Sequence, residues 1–189
     1  SSLKLGQETY LRASVGQGYR FPTITERYIK TTVGSFGVFD NPDLIPETSW
    51  NSEIGIKQGF KFSNFYGYLD VALFYQEYNN TIEYLFGFWD STYTFALAGF
   101  KFVNTGRSKV TGIDVSLNGQ IKTSKKIMIN TIFGYTYIMP VTLDPYYVFT
   151  QDYNPGGGKD FSYETTSVNP SKDILKYRFL HTIKLDFEV

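Results

Sequence analysis

The sequence predicts an all-β, antiparallel fold: a transmembrane β-barrel segment of about six long strands. Three observations predict it. Apolar and polar residues alternate with period two over several segments, the signature of a strand with one apolar and one polar face. The alternating runs extend over 10 to 15 residues, as in 53–62 and 175–189. Strands in water-soluble domains mostly run about 5–6 residues, whereas a tilted strand crossing a bilayer needs about 9–11. Finally, 19% of the residues are aromatic within a hydrophobic total of 42%, and the rings gather near strand ends, as in Phe60, Phe62, Phe65, Tyr66 and Tyr68. Rings at the two ends of a spanning segment sit at the level of the headgroups.

Taken in order, the expected strands are 8–20, 48–62, 66–86, 95–121, 127–139 and 174–189. In 8–20, Leu11, Ala13, Val15 and Tyr19 oppose Arg12, Ser14, Gly16 and Gly18. In 48–62, Ile54, Ile56 and Phe60 oppose Glu53, Gly55, Lys57 and Gly59. Within 95–121 the apolar phase flips between Phe100/Phe102 and Ile113/Val115. Gly106-Arg107-Ser108-Lys109 resembles a hairpin turn, but a turn there would put the long 140–172 loop on the side of the short ones. The segment is therefore read as one long strand, bulged at the flip. In 127–139, Phe133, Tyr135 and Tyr137 oppose Gly134 and Thr136. In 174–189, Ile183, Leu185 and Phe187 oppose Lys184, Asp186 and Glu188. Ser63-Asn64 and residues 123–126 read as tight turns, and 21–47, 87–94 and 140–172 as long loops. That alternation of short turns and long external loops is the habit of outer-membrane barrels. Ile54, Ile56, Ile113, Val115, Leu117, Ile183 and Leu185 are expected on one face, and Lys57, Asp114, Asn118, Lys184 and Asp186 on the other.

Composition removes other classes. There is no Cys, and His181 is the single histidine, which excludes disulfide frameworks and multi-histidine zinc sites. Lys+Arg 18 equals Asp+Glu 18, so no bulk field draws nucleic acid. Residues 154–159 are not a phosphate loop, because Asp160 takes the Ser/Thr place. No nucleophile elbow or calcium loop is present, so no enzyme activity, cofactor or metal is expected.

Three stretches resemble a known family. Arg12 with Gly18-Tyr19-Arg20-Phe21-Pro22 and Glu26, then Asn41-Pro42-Asp43-Leu44-Ile45-Pro46-Glu47-Thr48-Ser49 running to Glu53-Ile54-Gly55, then Phe102-Val103-Asn104-Thr105-Gly106 with Gly112-Ile113-Asp114, are similar to the barrel motifs of TonB-dependent outer-membrane receptors. Asp114 stands where Glu is usual. The resemblance implies a larger barrel of about 22 strands, with residues 1–189 forming part of it and the plug domain and last strands lying outside. It implies bacterial outer-membrane localisation and energy-coupled uptake of a bulky, scarce ligand: a ferric siderophore, haem, cobalamin or glycan. Implied partners are outer-membrane lipid, the remaining strands and plug, and the TonB complex. A passive porin-like barrel, an adhesin and a soluble carbohydrate-binding sheet are the alternatives. The motif residues Arg20, Pro22, Glu26, Asn41, Pro42, Pro46, Glu47, Glu53, Gly55, Asn104, Gly106 and Gly112 are expected to be architectural. Trp89, Tyr93, Tyr146, Tyr147, Phe149 and Tyr153, on the long loops, are the candidate ligand contacts, since rings on such loops can stack on sugars or planar chelates. The competing reading is that these rings pack on one another and hold the loops in place.

Overall fold

The computed structural model describes residues 2–89, 98–123, 127–151, 160–168 and 171–189. The strands in chain order are β1 (Ser2–Lys4), β2 (Thr9–Arg20), β3 (Thr31–Val33), β4 (Phe36–Phe39), β5 (Glu47–Phe62), β6 (Phe65–Asn79), β7 (Ile82–Phe88), β8 (Ala98–Asn104), β9 (Ser108–Lys122), β10 (Met128–Thr142) and β11 (His181–Glu188). Two short helices, α1 (Ile24–Tyr28) and α2 (Tyr163–Thr166), lie in the long connections. Seven strands form one antiparallel sheet in the order β1-β2-β5-β6-β9-β10-β11, whose edges do not meet. The other four form a second sheet, β3-β4-β8-β7.

Register in the large sheet gives each face its chemistry. Leu3, Leu11, Ile56, Val71, Val115, Tyr135 and Ile183 stand opposite one another across all seven strands. The adjacent row on that face is Ala13, Ile54, Leu73, Ile113, Tyr137 and His181. These side chains are exposed or half-buried and none is buried, with Leu73 54% and Ile183 65% exposed, so this apolar face is an outer surface and not a core. The opposite face carries Tyr10, Lys57, Asp70, Ser116, Gly134 and Lys184 in one row, and Arg12, Gly55, Ala72, Asp114, Thr136 and Thr182 in the next. The partition expected from the period-two phase is the one observed. From Ile54 to Phe62 along β5, at roughly 3.3 Å per residue and a tilt of about 45°, the apolar band rises roughly 19 Å, most of the ~25 Å of an outer-membrane barrel.

Two expected strands are each broken. The predicted 66–86 strand divides into β6 and β7 at Asn80, whose φ is +55°. The predicted 95–121 strand divides into β8 and β9 at Thr105–Arg107, where Gly106 has a φ of +89°. The chain does not reverse there: β6 pairs with β9, and β7 with β8. A single long hairpin is bent in both arms at one level, and its tip joins the second sheet. The phase flip marks that bend. The 174–189 strand is also shortened, because only His181–Glu188 is extended ladder. Leu175 is 4% exposed inside a folded lobe, and Tyr177 has a φ of +58°, which no continuous strand accommodates. Of the alternating residues 175–179 only Leu175 packs in the lobe, while Tyr177 and Phe179 stand 73% and 86% exposed, so the alternation there marks no strand. Residues 21–47, expected as loop, contain α1, β3 and β4.

Candidate functional site at the loop-bearing rim

The bend in the long hairpin coincides with the end of the large sheet that carries the long connections. Arg20 and Glu47 are direct cross-strand partners there. The Arg20 Nε donates to Glu47 Oε2 at 2.5 Å, and its Nη1 to both carboxylate oxygens of Glu26 at 2.8 and 3.0 Å. Glu26 is fixed by the start of α1. Pro22 leads into the N-cap Thr23, whose hydroxyl accepts from the Glu26 amide, while the Glu26 carboxylate accepts from the Thr23 amide at 2.7 Å. This reciprocal capping satisfies two otherwise unpaired helix-end donors. Glu47 is 8% exposed, and its other oxygen accepts from the Ile82 amide at 2.6 Å. One carboxylate thus joins β2, β5 and the first residue of β7.

A second junction lies beside it. The Asn41 side chain donates to Phe102 O at 2.8 Å, and its amide to Arg27 O at 2.8 Å. The Asn104 amide group donates to Asn80 O at 2.8 Å and to Ile45 O at 3.1 Å, and accepts from Ile45 N at 3.1 Å. Pro42 and Pro46 bracket the segment that Asn104 grips, and each restricts the residue before it to extended geometry. Gly106 is required twice. Its φ favours glycine, and a Cβ there would come within 2.9 Å of Asp144 Oδ2. Asp144 accepts from the Arg107 amide at 2.8 Å and pairs with the Arg107 side chain at 3.3 Å; these bonds hold its carboxyl below the usual carboxylate range. The three motif stretches, far apart in sequence, meet in one place.

Lower on the polar face, the Arg12 guanidinium crosses Gly55, where a Cβ would come within 2.9 Å of its Cζ, and bonds Glu53 at 2.9 Å and Asp70. Gly112 lies under the Phe74 ring, its cross-strand partner. Glu53, Gly55 and Gly112 thus each meet a neighbouring strand's side chain within the sheet.

Above the rim, residues 143–151, 160–168 and 171–180 fold as a lobe against one side of β7 and β8. Leu85, Val103, Tyr163 and Leu175 form its core, with Trp89 and Phe149 packed against them. Trp89 Nε1 also donates to Gly99 O at 2.9 Å. Among the expected ligand contacts, then, Trp89 and Phe149 have packing partners within the protein. Tyr146 and Tyr147 stand 74% and 47% exposed. Tyr93 and Tyr153 lie outside the described residues. The lobe is tied down by Arg178, whose Nη2 lies 2.8 Å from Glu83 Oε1; Glu83 is 4% exposed. Burial pushes the Glu83 carboxyl above its usual value, against the pull of Arg178. Between lobe and wall lies a cavity of about 570 Å³, lined by Arg20, Ser49, Tyr78, Thr81, Ser108 and Arg178 among others. Glu83, Tyr78, Thr81, Asp144 and Arg178 were not singled out from sequence. Glu83 had a usable signal, as the one acid in the run Ile82–Phe88; the others had none. Among the described residues, no cluster of three acidic or histidine side chains could hold a metal ion.

The family model for the TonB-dependent receptor-like β-barrel matches residues 3–180. The chain belongs to the TonB-dependent receptors. Two solved receptors share the fold of this TonB-dependent chain at 18% identity. One is the siderophore receptor PirA from Pseudomonas aeruginosa, with a TM-score of 0.55, covering 76% of this chain and 27% of that one. The other is a double mutant of the Serratia marcescens hemophore receptor HasR, in complex with its hemophore HasA and heme, with a TM-score of 0.57, covering 96% and 26%. The chain thus spans about a quarter of the length of these TonB-dependent receptors. A search of curated protein sequences finds no match.

Proposed function

We propose that this chain is part of the wall of a bacterial outer-membrane receptor that takes up a bulky, scarce nutrient with energy supplied through TonB. The observation that carries the reading is the unbroken apolar row from Leu3 to Ile183, facing outward and backed by a polar face. That arrangement suits lipid outside and a polar lumen inside. The remaining strands and a plug domain complete the barrel. Tyr146 and Tyr147, exposed at the loop-bearing end, are the rings offered to a ligand, and the cavity lined by Arg20 and Arg178 is a second place for it. Receptors of the same fold that bind a siderophore or a hemophore make iron carriers the first ligands to try.

Bilayer placement is tested with the complete receptor folded into lipid vesicles. Val115→Lys is expected to lower stability by about 2–4 kcal/mol, the range for a lysine facing the bilayer midplane. Ser116→Lys, on the polar face of the same strand, should change it by less than about 1 kcal/mol. Equal effects would remove the barrel reading. Uptake is tested by iron-limited growth of cells whose own receptors are deleted. Growth on a ferric siderophore or haem that requires both the complete receptor and an intact TonB complex supports the proposal. Growth that persists without TonB would indicate a passive barrel instead.

A further inference from the structure

On three adjacent strands the outward apolar run stops at the same register. Ile54, Leu73 and Ile113 are cross-strand partners on β5, β6 and β9. In the next outward row toward the loop-bearing end their places are taken by Ser52, Tyr75 and Thr111, and in the row beyond by Trp50, Glu77 and Lys109. Trp50 and Tyr75 are 53% and 41% exposed, and Glu77 and Lys109 are half-buried. A change from aliphatic side chains to rings and then charges marks the level where acyl chains give way to headgroups.

The two charges of the upper row have opposite sign and stand directly opposite in register, yet no ion pair joins them among the described residues. The Glu77 carboxylate accepts from the Tyr75 hydroxyl at 2.8 Å. Arg107, two residues before Lys109, is engaged by Asp144. A carboxylate flanked by two exposed rings, with a lysine beside it, therefore looks outward just above the apolar band. The strands themselves limit what can cover it. β5, β6 and β9 are each paired along both sides within the large sheet, so further strands add beyond β1 and β11, and a plug lies on the polar face. Lipid is the neighbour left for this patch.

We propose, resting on the barrel reading above, that Trp50, Tyr75, Glu77 and Lys109 seat the zwitterionic headgroup of a phosphoethanolamine lipid. Lys109 donates to the phosphate, and Glu77 accepts from the ammonium, to which Trp50 and Tyr75 offer their rings. Opposite Cβ atoms lie about 4.5–5.5 Å apart, a span that a phosphate and an ammonium joined by two carbons can bridge. A purely anionic headgroup would satisfy Lys109 but bring its charge against Glu77.

The test titrates the complete receptor, in detergent micelles, with phosphatidylethanolamine or phosphatidylglycerol of identical acyl chains, and counts bound lipid by native mass spectrometry. Phosphatidylethanolamine should be held about fivefold or more tightly at one site. Glu77→Gln keeps an acceptor for Tyr75 and should erase that preference. Lys109→Gln should weaken both lipids, and Lys57→Gln, on the polar face, should change neither. Equal retention of the two lipids by the unaltered receptor would overturn the proposal, and this comparison depends on no variant folding. A preference that survives Glu77→Gln would overturn it too. So would a spin label on Trp50→Cys that lipid-dissolved oxygen cannot reach, since another part of the receptor would then cover the row. A label on Val115→Cys separates the two readings. Oxygen contact there without a lipid preference retires the headgroup seat alone, whereas no contact retires the barrel with it.

Discussion

Glu47→Ala is expected to open the junction between the large sheet and the hairpin tip, at a cost of about 3 kcal/mol. Three losses combine. The Ile82 amide, bonded at 2.6 Å in a buried position, is left without an acceptor. Arg20 loses its shortest partner and keeps only Glu26. The side chain removed is itself 8% exposed at residue level, so its volume is not refilled by solvent at no cost. A stranded buried donor alone costs about 1–3 kcal/mol, and a charge-assisted bond adds to it. Glu47→Gln retains an acceptor for Ile82 but turns an NH2 toward the Arg20 Nε, so it loses the Arg20 bond with the charge, and a smaller loss of about 2 kcal/mol is expected. Denaturant unfolding of the complete receptor, with hydrogen exchange of the Thr81 and Ile82 amides, checks both. Slow exchange of the two amides in Glu47→Ala would show that the carboxylate does not hold the joint.

Arg178→Ala should release the lobe, by about 3 kcal/mol of docking free energy, the lower end for removing one partner of a buried ion pair. The two partners are not equivalent. Glu83 is buried, whereas the Arg178 side chain is 47% exposed. Removing arginine strands a carboxylate among Leu85, Tyr163 and Leu175. Removing the acid with Glu83→Gln leaves a guanidinium that water can reach, and should be nearly neutral. Acidity should separate the two further. Burial already raises the Glu83 carboxyl, and loss of Arg178 raises it more. A carboxyl raised on docking contributes fully below its undocked pKa and is lost as pH rises through the docked one. Docking of the Arg178→Ala lobe should therefore recover as pH falls below neutral. Limited proteolysis between residues 160 and 180 across pH 5 to 8 measures this. Equal nicking of Arg178→Ala and Glu83→Gln would show that the pair is incidental.

Strand class, face assignment and family were legible because each rests on local periodicity or on contiguous motifs. The Ile54/Ile56 phase, read from one strand, was sufficient to place Leu73, Val115 and Ile183 once the strands paired. What could not be read depends on contacts between distant segments. Nothing near Asn104 announces that its amide will grip Ile45, and nothing near Glu47 announces Ile82. Asn80 and Gly106 are each ordinary in isolation; only their facing one another across the hairpin turns two residues into a bend. The ring-rich loops left two readings open. Aromatic content allowed ligand contact or mutual packing for Trp89, Phe149, Tyr146 and Tyr147 alike; Trp89 and Phe149 pack against the lobe core, and Tyr146 and Tyr147 stand exposed. Periodicity carries no information about whether a loop folds on itself.

The paired bend at Asn80 and Gly106 has a practical consequence for engineering. Both arms of the hairpin leave the barrel register at the same height, through residues whose backbone geometry is set locally. Matched pairs of residues added to the two arms therefore leave every pair between β6 and β9 in place, provided that Glu83, Leu85, Phe102 and Val103 keep their partners in the lobe and at Asn41. Each two-residue addition per arm would extend the tip by roughly 6.6 Å while the wall keeps its alternation. A design that retains Glu47, Glu83, Leu85, Phe102, Val103, Asn104 and the two bend residues would inherit the mounting, so the reach of the display end can change while its base stays fixed.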